Sequence, residues 1–298
     1  MSKTIVITGA GTGLGALTAR ALAEAGHTVY AAMRDTTTRN ALRVADARRY
    51  ATVHGVDLRT VELDILSQRS SDAAIARITA EAGHLDVVVH NAGCRSTGPT
   101  EAFTPQELAS VFDTNVLGTQ RVNRAALPHL RAQQHGLVVW IGCTSTRGGT
   151  PPYLAPYIAS KAAVDALAVS YAAELARFNV ETSIIVPGSF SSAGHHAIGS
   201  RPGDHKAVHA YERRYTGLME QVSRRLAAMA PHDPGAEQVA DAIVAVVDAE
   251  HGTRPFRVHV DPADDGSEEI SEVADRIRIH FLTRLGLADL LAPHTGTS

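Results

Sequence analysis

The chain is poor in cysteine, holding only Cys94 and Cys143. Two cysteines build no disulfide framework, and their spacing matches no metal motif. That scarcity suits a reducing cytoplasm. No apolar run is long enough to span a bilayer. No charged leader with a cleavage site precedes the strand-like Thr4-Ile5-Val6-Ile7-Thr8, so the expectation is a cytoplasmic protein that is not secreted. Charge of one sign is not in excess: the formal net charge of -3 gives no reason to expect nucleic acid or an anionic membrane as partner. Internal repeats and low-complexity linkers are also lacking, so a single domain over residues 1–298 is expected. Histidine is plentiful but scattered. Its one local cluster, His195-His196 with His205 and His209, has no Cys or carboxylate at ligand spacing, and no metal is expected there.

What is present reads as an ordinary soluble globular chain, 44% hydrophobic and 20% charged. It begins with strand, glycine turn and helix. Lys3–Thr8 is a β-branched run, Gly9-Ala10-Gly11-Thr12-Gly13-Leu14-Gly15 follows, and Ala16–Ala25 has helical period closed by Gly26. A glycine turn feeding a helix N-terminus offers bare N–H groups and the positive end of the helix dipole to a phosphate. With the right strand before it and helix after it, the pattern points to a dinucleotide. The second strand, Thr28–Met33, ends in Arg34-Asp35. At that place an acid accepts from an adenosine ribose hydroxyl, whereas an arginine accommodates a 2′-phosphate. Arg34 comes first, which favours NADP(H) over NAD(H); Asp35, one step later, is the alternative partner for a free hydroxyl.

Further along, Thr38–Tyr50 reads as an amphipathic helix, Thr60–Leu66 as the third strand, and Ser67–Glu81 as a helix with Ser67 as N-cap. Leu85–Val89 is nearly continuously apolar, as a strand buried on both faces should be, and runs into His90-Asn91-Ala92-Gly93. Thr104 and Pro105 open a helix carrying Asn115 and continuing towards Leu130. A buried amide at Asn115 needs partners, as a structural tie or as part of a relay. Leu137–Cys143 and Glu181–Val186 are the fifth and sixth strands, and Phe256–Val260 is a seventh. Alternation of this kind calls for an α/β fold of Rossmann type, a doubly wound, seven-stranded parallel sheet flanked by helices. The cofactor-binding core is expected over residues 1–190. Residues 190–230, with a helix or helix pair in Ala207–Met229, are placed as a substrate lid. Residues 235–298 supply the last helix–strand unit and a C-terminal helix over Ile270–Leu285.

Within Ala155–Val164 stand Tyr157 and Lys161, four apart and so one turn apart on one helix face. A free phenol ionises near pH ~10, and a fixed ammonium beside it is expected to bring that down. Such a tyrosine exchanges a proton with an alcohol near neutral pH.

Taken in order, Thr8-Gly9-x-x-x-Gly13-x-Gly15, Asp64-Ile65, Asn91-Ala92-Gly93, Asn115, Tyr157-x-x-x-Lys161 and Pro187-Gly188 resemble the short-chain dehydrogenase/reductase family. Val29–Asp35 and the long C-terminal part resemble its NADP-preferring, 17β-hydroxysteroid dehydrogenase-like branch. The resemblance implies an oxidoreductase acting on a ketone or secondary alcohol, with Tyr157 as general acid/base and Lys161 lowering its pKa and holding the nicotinamide ribose. Asn115 is implied to hold a water that links Lys161 to solvent. Gly9, Thr12, Gly13, Leu14 and Gly15 would cradle the pyrophosphate, and Asp64 and Ile65 would flank the adenine. Asn91, Ala92 and Gly93 would lie along the riboses, while Pro187, Gly188 and Ser189 would touch the nicotinamide. The family's substrate-orienting serine, thirteen residues before the tyrosine, is replaced by Thr144; Ser145 is the neighbouring alternative, facing the other way along a strand. The resemblance also implies a homodimer or homotetramer paired through the Thr104–Leu130 and Tyr157–Phe178 helices. Other readings of the same motifs are a nucleotide-sensing protein without catalysis and a cofactor-assisted epimerase or lyase.

Overall fold

The computed structural model describes residues 1–188, 190, 197–198, 201–229 and 235–293. Ser189, His195, His196 and Pro234 lie outside the described residues. Among the described residues, no helix is long and apolar enough to cross a membrane.

Seven strands form one parallel sheet: β1 (Thr4–Thr8), β2 (Thr28–Met33), β3 (Leu58–Glu62), β4 (Val87–His90), β6 (Gly136–Ile141), β7 (Val180–Pro187) and β9 (Arg257–Val260). Their spatial order is β3-β2-β1-β4-β6-β7-β9. The chain winds outwards from β1 to β3, then returns to β1's other side with β4, so the order reverses between β1 and β4. Ligands of such sheets sit at that reversal, beyond the carboxyl ends of the strands. A short second sheet pairs β5 (Cys94–Arg95) with β8 (Ala197–Ile198).

Side chains alternate across the sheet as a period of two requires. Val6, Tyr30, Val88, Val138, Trp140 and Ile184 point to one face, where α3 (Gln68–Ala82), α5 (Gly118–Gln133) and α6 (Ala155–Ala176) cover them. Ile5, Ile7, Val29, Val89, Val139 and Ile185 point to the other, under α1 (Gly13–Glu24), α2 (Ala41–His54) and α9 (Glu237–Asp248). Each fully buried aliphatic contributes roughly 1.5–3 kcal/mol, which is what fixes strand register on both faces.

Helix starts follow local chemistry. The Ser67 hydroxyl accepts from the Ser70 N–H at 3.2 Å. α4 (Pro105–Phe112) opens on a reciprocal box: Thr104 Oγ1 accepts from the Glu107 N–H, and the Glu107 carboxylate accepts from the Thr104 N–H. Among the differences from the sequence expectation, two lie beside the cavity. β3 ends at Glu62 rather than Leu66, because the Asp64 carboxylate accepts from the Leu66 N–H at 3.0 Å and bends the chain out of the sheet. The helix through Asn115 is not continuous: one π turn, Asp113–Leu117, separates α4 from α5. Of the two forms expected for the 207–229 region the structure shows the pair, α7 (His205–Arg214) and α8 (Leu218–Ala228), neither with a buried residue. α10 (Ser267–Arg284) then closes the described C-terminal part.

Candidate active site

A cavity of about 700 Å³ runs along the carboxyl ends of the central strands. Gly9, Thr12, Gly13, Leu14, Gly15, Arg34, Asp64, Ile65, Asn91, Ala92, Gly93, Tyr157, Lys161, Pro187 and Gly188 all line it. Residues scattered over most of the sequence are therefore brought to one wall.

Its glycine end is built for close approach. Gly9 takes a φ of +67°, and a Cβ there would lie 2.8 Å from the Ala92 Cα. A Cβ on Gly15 would lie 2.3 Å from Asn91 Nδ2. The tips of β1 and β4 are locked together: Thr8 Oγ1 accepts from the Asn91 and Ala92 N–H groups at 3.1 and 3.0 Å, and Asn91 Nδ2 donates to the Thr8 carbonyl at 2.9 Å. At the start of α1, Thr12 makes no side-chain cap. The first N–H groups of the helix thus face the cavity rather than a hydroxyl, which fits a phosphate.

Beyond the glycines, Arg34, Arg39 and Arg43 line the same end. Asp35 does not join them. It is exposed, has a φ of +50°, and its carbonyl closes the turn by accepting from the Thr38 and Asn40 N–H groups. The sequence reading found Arg34 but missed Arg39 and Arg43. They stand on the turn and first helical turn after β2, and only the fold returns them to the cavity.

At the opposite end, Tyr157 and Lys161 are 8% and 6% exposed, held by α6 against the tip of β6. Lys161 Nζ donates to the Ile141 carbonyl at 2.8 Å and stands 6.0 Å from the centre of the Tyr157 ring. The expectation that Lys161 draws the phenol down fails in this geometry. Burial, then the neighbouring Cys143 thiol, pushes the Tyr157 phenol well above its ordinary value, with Arg95 opposing them. Burial likewise lowers the Lys161 ammonium, against Cys143 and Cys94.

Asn115, 2% exposed, spends its whole amide inside the protein. Its Oδ1 accepts from the Cys94 N–H at 2.8 Å, and its Nδ2 donates to the Cys94 carbonyl at 3.0 Å and to Ser160 Oγ at 2.8 Å. The π turn carries this side chain inwards, where it ties β5 to α6. Three of that amide's four possible hydrogen bonds are thus spent on the protein, and only one acceptor site of Oδ1 is left.

Thr144 requires a correction. Its side chain is buried but outside the cavity wall, and its hydroxyl interacts with the Asp265 carboxylate. Ser145 lines a separate cavity of about 240 Å³, shared with Leu226, Met229, Asp261 and Asp265. The residue on the wall beside Tyr157 is Cys143. Counting thirteen residues back overlooked the turn Thr144–Thr146, which follows β6 after two intervening residues and carries Thr144 away. Among the described residues, no group of three or more His, Cys, Asp or Glu could hold a metal.

The chain resembles known proteins over most of its length. The family model described as short chain dehydrogenase matches residues 3–202. 17-beta-hydroxysteroid dehydrogenase type 1 of Homo sapiens is 34% identical over 256 residues, covering 84% of this chain and 75% of its own. Retinol dehydrogenase 8 of Homo sapiens is 29% identical over 263 residues, covering 85% and 79%. The crystal structure of a short-chain dehydrogenase from Streptomyces avermitilis superposes with a TM-score of 0.73 at 26% identity, over 96% of this chain and 98% of that one. With the ordered motifs, the parallel sheet and the shared cavity, these matches place the chain in the short chain dehydrogenase family, oxidoreductases that move a hydride to or from CH–OH groups.

Proposed function

We propose that the protein is an NADP(H)-dependent carbonyl reductase or alcohol dehydrogenase, with Tyr157 as general acid/base. The observation that carries this reading is one cavity with the buried Tyr157–Lys161 pair at one end and three arginines at the other. Bound NADPH would supply the hydride. Arg34, Arg39 and Arg43 would hold its 2′-phosphate, and the N–H groups of Gly13, Leu14 and Gly15 its pyrophosphate. Asp64 and Ile65 would flank the adenine, Asn91, Ala92 and Gly93 the riboses, and Pro187 and Gly188 the nicotinamide. Lys161 has three donors and uses one on Ile141, which leaves two for a ribose.

A phenol kept protonated by burial holds a proton that it can give to a carbonyl oxygen. The substrate is a ketone or secondary alcohol of apolar body, and α7 and α8 belong to its lid. In support, α7 and α8 carry no buried residues of their own, and the relatives are named for steroid and retinol dehydrogenation. The protein works in the cytoplasm as a homodimer or homotetramer. The exposed small face of α6, Ala159, Ala162, Ala166 and Ser170, offers a flat surface for pairing.

The test follows NADPH absorbance over a panel of ketones. Tyr157→Phe should lower turnover by about 10²- to 10⁴-fold while NADPH fluorescence titration shows binding retained. Retained turnover would sink the role of Tyr157, and an absence of net NADPH oxidation by the unaltered protein would favour a sensor or epimerase. For cofactor choice, removing Arg34 or Arg39 as alanine should weaken NADPH binding by about 10- to 100-fold and leave NADH binding nearly unchanged. Equal loss for both cofactors would refute the preference.

A further inference from the structure

Both cysteines of the chain line the cavity, and they are not equivalent. Cys94 is 7% exposed, its backbone tied to Asn115 and its thiol pushed up by burial. Cys143 is half-buried, in extended backbone, and packs against Leu154, Tyr157 and Ile158. Its thiol is a side-chain hydrogen-bond partner of the Tyr157 hydroxyl. One step along extended backbone reverses a side chain's direction. Cys143 and Thr144 therefore cannot both face Tyr157, and the Thr144 hydroxyl is engaged with Asp265 on the far side.

Resting on the reading of Tyr157 as proton donor, we propose that Cys143 is the second group on the substrate's reacting oxygen, in place of Thr144 or Ser145. A thiol is a weak donor and a bulky one. It steers the carbonyl oxygen towards Tyr157 by contact and a weak S–H hydrogen bond, and leaves most of the polarisation to the phenol. The site trades rate for a softer, more apolar wall beside the reacting carbon. It also carries a liability: a small thiol reagent entering the cavity meets Cys143 before the buried Cys94.

Two experiments on the full chain test this. In the first, Cys143→Ser supplies a stronger donor and should raise kcat/KM for ketones by about 3- to 10-fold. The effect should lie chiefly in kcat, whereas Cys143→Ala should lower kcat. Thr144→Ala and Ser145→Ala should stay within about twofold. In the second, methyl methanethiosulfonate is added. The Cys143 thiolate attacks its thio sulfur, forms the S–S bond to a methylthio group and expels methanesulfinate, with the thiol proton passing to solvent. Turnover should be lost, return with dithiothreitol, and be protected by NADPH plus ketone. The Cys143→Ser variant should resist, and Cys94→Ser should remain sensitive. Loss of kcat in Thr144→Ala with no change in either Cys143 variant would overturn the proposal, as would inactivation that persists in Cys143→Ser. Neither result touches Tyr157→Phe, so failure here is distinguishable from failure of the reading it rests on.

Discussion

At the residue scale, the chain repeatedly accepts a buried polar group where an apolar one would pack more simply. His90, the last residue of β4, is one case: its ring lies 4.9 Å from that of Trp140, and Nε2 pairs with Asn123 Oδ1 at 2.7 Å. Burial, only partly offset by that bond, holds its pKa at about 4 instead of 6.5. The sign follows from the folded value lying below the unfolded one. The folded state binds the proton less readily, so this contribution is complete above pH 6.5 and lost as pH falls towards 4. Its size is about 3 kcal/mol. Urea midpoints at pH 7 and pH 4.5 should therefore differ by less in His90→Gln than in the natural protein; equal differences would show that the ring does not titrate as its burial requires. Cys143 and Thr144 make the matching point about the site. Their identities are plain in the sequence, but which one faces Tyr157 depends on where β6 ends, and no residue type announces that.

At the scale of elements, helix entrances carry much of the local specification. The Thr104–Glu107 box satisfies two otherwise orphaned N–H groups of α4, and the Glu107 carboxylate also accepts from the Gly203 N–H at 3.2 Å, just before α7. Thr104→Ala should cost about 1 kcal/mol of unfolding free energy, and Thr104→Ser very little; denaturant melts of the two variants decide it. This cap was legible because Thr-Pro-x-Glu before an apolar run has a physical meaning in a single stretch. The five inner strands were legible for the same reason: buried on both faces, they are largely apolar and β-branched, whereas the edge strands β3 and β9 are only partly buried. Other features were not local. The π turn at Asp113–Leu117 exists to aim Asn115 at Cys94, a partner known only once β4 and α6 are packed. Arg39 and Arg43 look like surface charges of an amphipathic helix until the turn after β2 folds back to the cavity. The early end of β3 is set by a single Asp64 carboxylate competing with the sheet for an N–H group.

At the scale of the whole molecule, the site-bearing helix is joined to the C-terminal elements by a chain of charges. Asp165 of α6 binds Arg147 of the loop after β6 and Arg257 of β9, each at 2.5 Å, and Arg257 continues to Asp275 of α10 at 3.0 Å. The Asp165 and Arg257 side chains are 9% and 5% exposed, so neither charge tolerates losing its partner. Burial alone would raise the Asp165 carboxyl; the hydrogen bonds and charges of Arg257 and Arg147 outweigh it and hold the group below its usual value. A depressed carboxylate stabilises the fold above the unfolded value of 3.8 and loses that contribution as pH falls further, through its folded value. Its window therefore lies below the one in which His90 acts. Acid unfolding should show a first loss below pH 6.5, to which His27, His251 and His259 also contribute and which His90→Gln reduces, and a second at lower pH, which altering Asp165 reduces. Asp165→Ala should cost about 3–5 kcal/mol at pH 7, because it strands the Arg257 guanidinium in the interior. Asp165 lies one turn beyond Lys161 on α6, so the variant should also weaken ketone turnover before it unfolds the protein. An Asp165→Ala protein with unchanged melting temperature would show that α10 and β9 are held to α6 by apolar packing alone.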